Sequence, residues 1–139
     1  NGYAQIDGSA IPECGSGERY EIAGVLREYR SDIRDISNQS ALIDLSEYVD
    51  RTEAVDQLLM DMHDLQLRWR HVDEPRLPRC ALAVNAGIAL GELLDEMLIS
   101  FLLLDADYVF QADWHANTIL ELFENLWTLL DELEDKSAA

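Results

Sequence analysis

Two cysteines, three histidines and a cluster of arginines are the residues of this chain whose types and spacing could do chemistry. Cys14 lies in the Gly/Ser-rich stretch DGSAIPECGSGER, and Cys80 opens an apolar segment just after Pro78. No C-x-x-C or Cys/His spacing accompanies them, so they do not form a thiolate metal site. Two readings stay open for the pair. One is a disulfide tying the leader to the body of the protein, which belongs outside a reducing cytosol. The other is a buried structural Cys80 and an unrelated exposed thiol. The even count and a leader-like opening at Asn1 favour the bridge. His63, His71 and His115 have no glutamate three positions before them, which di-iron carboxylate bundles require. There is no G-x-S-x-G phrase and no Gly-rich phosphate loop between a strand and a helix. His115 reads as a histidine hydrogen-bonded at the edge of a core.

The arginines form a basic elbow: Arg68, Arg70, Arg76 and Arg79, interleaved with Trp69. Guanidinium groups beside an aromatic ring can hold an anion or a partner's carboxylates. The competing role is local. Positive charge in a helix's last turn offsets the macrodipole, and Trp69 occupies an apolar seam.

Those residues need a scaffold, and composition bounds it. The chain has 139 residues and 28 acidic against 10 basic side chains, a formal charge of −18. The length suits one domain able to bury a real core. With 48% hydrophobic residues it is no acidic disordered tail. So negative a field repels nucleic acid, whose recognition rests on neutralising phosphates, and anionic membrane surfaces. Met97–Leu104 is the most apolar run, eight residues, against roughly 20 needed to span a bilayer; direct membrane insertion is not expected.

The apolar period is helical throughout. Residues 1–18 read as an extended leader and 19–136 as one bundle of four helices. The first helix spans about Glu18–Ser37 on a seam of Ile22, Leu26, Tyr29, Ile33 and Ile36, with the cluster Ser37–Ser40 ending it. The second spans about Leu42–His71. Tyr48, Val55, Met62 and Trp69 repeat every seven residues, and Leu58, Leu65 and Val72 supply the other seam position. The third spans about Arg79–Leu104 and carries the pair Gly87 and Gly91, read as a site of close helix approach. The fourth spans about Ala106–Glu134 with Asp105 as its N-cap. Short links predict an all-α, antiparallel up-down-up-down four-helix bundle, in which the third and fourth helices make the core hairpin and a shorter first helix covers one side.

The stretch LRWRHVDEPRLPRCALAVNAGIALGELLDEM, residues 67–97, resembles the all-α MazG-like nucleotide pyrophosphohydrolases. Trp69, Pro75–Arg76 and Gly91–Glu92–Leu93 carry the likeness. The resemblance implies an E-x-x-E pattern on one helix and E-x-x-D on the next, together binding Mg²⁺. The first glutamate of that pattern falls on Ala89. A shifted match pairs Glu92 and Asp95 with Glu121 and Glu124, but the heptad places all four on outward positions. Carboxylates facing solvent from two helices do not converge on one octahedral Mg²⁺.

The expectation from sequence is therefore a non-enzymatic bundle with no metal or cofactor, monomer or homodimer, acting by contact with a protein partner outside the cytoplasm. The alternatives are a cytoplasmic acidic inhibitor that masks a basic partner and a degenerate relative of the pyrophosphohydrolases.

Overall fold

The structure is a computed structural model and describes residues 11–43, 48–106 and 108–138. Four helices carry the chain: α1 (Ser16–Ile43), α2 (Tyr48–Arg68), α3 (Ala81–Asp105) and α4 (Val109–Ala138). Each packs against its neighbours in sequence and α1 closes the ring against α4, while the diagonal α1–α3 contact is minor. This is the up-down-up-down four-helix bundle. The α3–α4 pairing is the most extensive. Among the described residues there is no strand.

Local chemistry fixes where α1 begins. The Gly15 N–H donates to Glu18 Oε1 at 3.0 Å, and the Arg19 N–H donates to the Gly15 carbonyl at 2.9 Å. A carboxylate three residues into the helix thus reaches back to satisfy the capping position, half of a capping box. The helix starts two residues earlier than its apolar seam suggested. It also runs past Ser37–Ser40 to Ile43. That cluster contains no glycine or proline. Asn38 and Gln39 simply sit on the solvent side while Ile33 and Ile36 stay buried. At 28 residues α1 is longer than the 25 of α3, so it is not the short cover the seam implied. Leu42, expected to open the second helix, belongs to α1. Residues 44–47, which the expected second helix also covered, lie outside the described residues.

The turn from α3 to α4 also differs from expectation. Asp105 is the last residue of α3 rather than the N-cap of α4. The Ala106 and Tyr108 N–H groups close on the carbonyls of Leu102 and Leu103, and the Ala112 N–H donates to the Tyr108 carbonyl at 2.9 Å. Helix α4 continues to Ala138, beyond the expected Glu134.

The core is the union of the four seams. Ile22, Leu26 and Ile33 of α1, Leu58 and Met62 of α2, Leu90, Leu93 and Leu94 of α3, and Leu126, Leu130 and Leu133 of α4 are all completely buried. Not every position along those apolar stripes is inward: Ala116 of α4 is exposed and Gly87 of α3 is half-buried.

The sulfurs of Cys14 and Cys80 lie at disulfide distance, with Cα atoms 5.0 Å apart, within the span a disulfide bridges. The Ala81 N–H adds a 2.9 Å hydrogen bond to the Pro12 carbonyl. Together they hold the described part of the leader against the start of α3. Closing a loop across 66 positions restricts the unfolded chain. Replacing the pair by Cys14→Ser and Cys80→Ala is expected to lower stability by about 4 kcal/mol without loss of helical circular dichroism. Urea unfolding with and without reductant checks this, since reductant should then affect only the native sequence.

Candidate functional site: a groove beside a buried aspartate

Helix α2 does not end cleanly. After Arg68 it widens into a π-helical turn, Trp69–Asp73, and then tightens into a 3₁₀ turn, Glu74–Arg76. The Glu74 N–H closes the wide turn on the Trp69 carbonyl. Bonding five residues back rather than four delays the return of each face. The inward face after Trp69 therefore comes round at Asp73 and not at Val72. Val72, expected in the seam, is 59% exposed, and Asp73 is 2% exposed.

The buried carboxylate is fully engaged. Tyr29 of α1 donates its hydroxyl to Asp73 Oδ2. Arg68 Nε donates to the same oxygen at 2.9 Å, and Arg76 donates to Oδ1 at 2.8 Å. Each guanidinium also reaches an acid of α1: Arg68 meets Asp32, and Arg76 meets Glu28 at 3.3 Å. Arg68 further lies 4.8 Å from the centre of the Tyr29 ring, within cation–π range. Burial works to raise the Asp73 carboxyl, but the hydrogen bonds from Tyr29, Arg68 and Arg76 outweigh it and hold the group below the usual carboxylate range. Burial, and then the bond to Asp73, push the Tyr29 phenol well above its ordinary value. A carboxylate with three donors and almost no solvent access is a tether rather than a general base.

This tether orients Trp69. Its ring meets Tyr29 edge to face, centroids 5.4 Å apart, a favoured aromatic geometry. Its far side lies over Gly87 and Gly91 of α3. A methyl group added at Gly87 would sit 3.5 Å from Leu77 Cδ1 and 3.9 Å from Trp69 Cζ2, and one at Gly91 would sit 3.7 Å from Trp69 Nε1. Those are ordinary contacts, so no backbone crowding requires glycine there. What approaches the pair is one indole and one leucine, not a helix backbone. The two glycines instead leave space.

That space is a groove of about 990 Å³ between the end of α2 and the first half of α3. Trp69, Gly87 and Gly91 lie along it, and Leu77, Val84 and Ile88 supply apolar surface. Val84 and Ile88 are 42% and 57% exposed, unusual for branched aliphatic side chains that line a concavity. Ile11 and Pro12 of the leader close one end, held by the Cys14–Cys80 bridge. Glu92 and Asp95 stand at the other, with Gln66 and Arg70.

The arginines of the elbow part company. Arg68 and Arg76 are engaged by Asp73 and the acids of α1. Arg70 pairs with Asp95 at 3.1 Å, which also accepts from Gln66. Arg79 is exposed, lines the groove, and makes no ion pair with a described residue. Of the carboxylates that the pyrophosphohydrolase likeness singled out, Glu92, Asp95, Glu121 and Glu124 are all exposed. Among the described residues, no three His, Cys, Asp or Glu side chains gather as a metal site would need. His115 Nδ1 lies 2.7 Å from Glu96 Oε2 at the core edge, as its position suggested. Sequence reading missed Tyr29 and Asp73 as partners. The available signal was a tyrosine on a core seam, whose hydroxyl must find an acceptor.

Comparison with known proteins finds no matching family model, no matching curated protein and no matching solved structure.

Two outcomes follow for stability. Asp73→Asn removes a charge from a buried, paired group and should cost about 3–5 kcal/mol at pH 7. Because the folded-state carboxyl titrates low, its contribution is present above about pH 4 and fades as pH falls through the folded-state value. The gap between native and variant should therefore narrow in urea titrations repeated at pH 3. Gly91→Ala should raise stability by about 0.5–1 kcal/mol, since the methyl finds ordinary contact and the helix interior loses a glycine; thermal melts test the sign.

Proposed function

We propose that this chain is a non-catalytic interaction protein that works outside the cytoplasm, as an accessory subunit contacting a protein partner through the groove beside Trp69. One observation carries the reading: an apolar concavity open to solvent, with Val84 and Ile88 exposed on its wall. Monomeric proteins seldom leave contiguous apolar surface uncovered without a use for it. Two helix-interior glycines, each at a propensity disadvantage of roughly 1 kcal/mol, help keep that concavity open where a methyl would be accommodated. The Cys14–Cys80 pair supports an oxidising compartment. No helix among the described residues is long and apolar enough to cross a membrane. A cytoplasmic inhibitor of a basic partner is the second reading, favoured by the exposed carboxylates of α3 and α4.

The test is site-specific photocrosslinking in the cells that make the protein. A benzophenone side chain at Val84 or Ile88 should give one discrete adduct that the same probe at exposed Glu132 does not. Alkylation of the protein in those cells should label neither Cys14 nor Cys80 until reductant is added. Free thiols in cells would transfer the proposal to the cytoplasmic inhibitor. Mg²⁺-dependent pyrophosphate release from nucleoside triphosphates would overturn both readings in favour of an enzyme.

A further inference from the structure

We infer that the groove receives a cationic amphipathic helix of the partner protein, its apolar stripe laid on Trp69, Leu77, Val84 and Ile88 and its basic side chains towards the end that carries Glu92. This rests on the interaction reading above and adds the chemistry of what binds.

Length, surface and charge each point the same way. From Ala83 to Asp95 the wall formed by α3 runs about 18 Å at 1.5 Å per residue, the length of roughly three helical turns. An apolar channel of that length suits the i, i+3, i+4, i+7 stripe of one docked helix. The channel has carboxylates at one end, Glu92 and Asp95, and towards the other Arg79, which makes no ion pair with a described residue. Asp95 already holds Arg70, so at that end Glu92 is left to meet a cation, and exposed Glu74 also lines the groove. The surrounding field is that of a chain with charge −18, which attracts a basic segment from a distance and speeds its arrival. The same field opposes the other occupants. A second copy would bring −18 against −18 across a groove that already ends in acids. An anionic lipid surface or an acidic peptide meets the same repulsion, with Arg79 alone in its favour. An uncharged apolar segment would fill the floor but leave the Glu92 end without a partner. A helix with lysines or arginines beside its apolar stripe satisfies both ends of the requirement.

The experiment uses the full chain, oxidised, and three fluorescein-labelled peptides of about 14 residues, long enough to cover three turns. One is a Leu/Lys amphipathic helix. The second has the same composition with the stripe scrambled, and the third replaces each Lys by Glu. Fluorescence anisotropy should show the amphipathic cation binding at least about tenfold more tightly than its scrambled isomer and weakening as salt rises. The charge-inverted peptide should not bind. Val84→Asn with Ile88→Asn, both at exposed positions and neutral, should weaken binding by about tenfold or more. Gly87→Ala with Gly91→Ala should weaken it while raising thermal stability, so the loss cannot be attributed to unfolding.

Equal binding of the scrambled peptide would overturn the proposal, because the charge field alone would then explain the affinity. So would undiminished binding to the double-asparagine variant. Sedimentation showing a dimer that the double-asparagine variant dissociates would assign the groove to a second copy. In a Trp114→Phe, Trp127→Phe background, a red shift of Trp69 emission caused by Tyr3→Ser with Ile6→Ser, without any peptide, would assign it to the chain's own first residues. If photocrosslinking from Ile88 captures a partner in cells and the cationic peptide still does not bind, the interaction reading stands and this inference falls.

Discussion

The Asp73 carboxylate is the group on which the rest of the molecule's organisation depends. It sits almost free of solvent between α1 and the end of α2 and is held by Tyr29, Arg68 and Arg76. A buried charge is tolerable only when its lone pairs are answered by good donors, and here three arrive from three directions. The arrangement is reciprocal. Glu28 and Asp32 on α1 engage the far sides of the same two guanidiniums, so the arginines are fixed at both ends. The π-helical turn is the backbone's part of this bargain. Without the extra residue in that turn, Val72 would face inward and the carboxylate would not reach the phenol.

From that point the site follows by packing. Tyr29, oriented by its bond to Asp73, meets Trp69 in a T-shaped pair. Trp69 then lies over Gly87 and Gly91, where no side chains fill the space on α3. The 3₁₀ turn at Glu74–Arg76 carries the chain on to Leu77, and the Cys14–Cys80 bridge brings Ile11 and Pro12 to the other wall. Polar residues thus set the rim and the elbow, and apolar ones form the floor. That division is common to binding clefts, in which a few placed charges give direction and apolar surface gives affinity.

Charge distribution shapes how such a surface could be used. Of the ten basic residues, those nearest the groove are largely committed to the chain's own acids. Arg68 and Arg76 are spent on Asp73 and α1, and Arg70 on Asp95. What the molecule shows to an approaching partner is therefore its carboxylates. Exposed ion pairs such as Arg70–Asp95 contribute little to stability by themselves, but they decide which charges remain to be satisfied. The candidate metal ligands illustrate the converse. Glu92, Asp95, Glu121 and Glu124 lie on outward faces of α3 and α4, where a heptad puts residues that solvate a bundle.

The architecture was legible because helical periodicity is a local property. Ile22, Leu26, Tyr29, Ile33 and Ile36 recur at four and three, and burying that stripe needs no knowledge of what lies opposite. The outward placement of Glu92 and Glu121 could be read the same way. Helix ends were less legible, because they turn on single hydrogen bonds: Glu18 reaching back to Gly15, or Tyr108 closing on Leu103. The phase change after Trp69 could not be read at all. An α-helical seam assigns Val72 inward on apolarity, and only the gathering of Tyr29, Arg68 and Arg76 around Asp73, residues up to 47 positions apart in the chain, makes an acid the better inward residue. The glycine pair shows the same limit, since sequence marks a close approach but not whether a backbone or an indole makes it. The sequence by itself determined the four helices, their apolar faces and the −18 charge, all set by residue type and local spacing. Only the tertiary structure decided which arginines are engaged, where the buried acid sits and that a groove opens beside Trp69, because each depends on distances between residues remote in the chain.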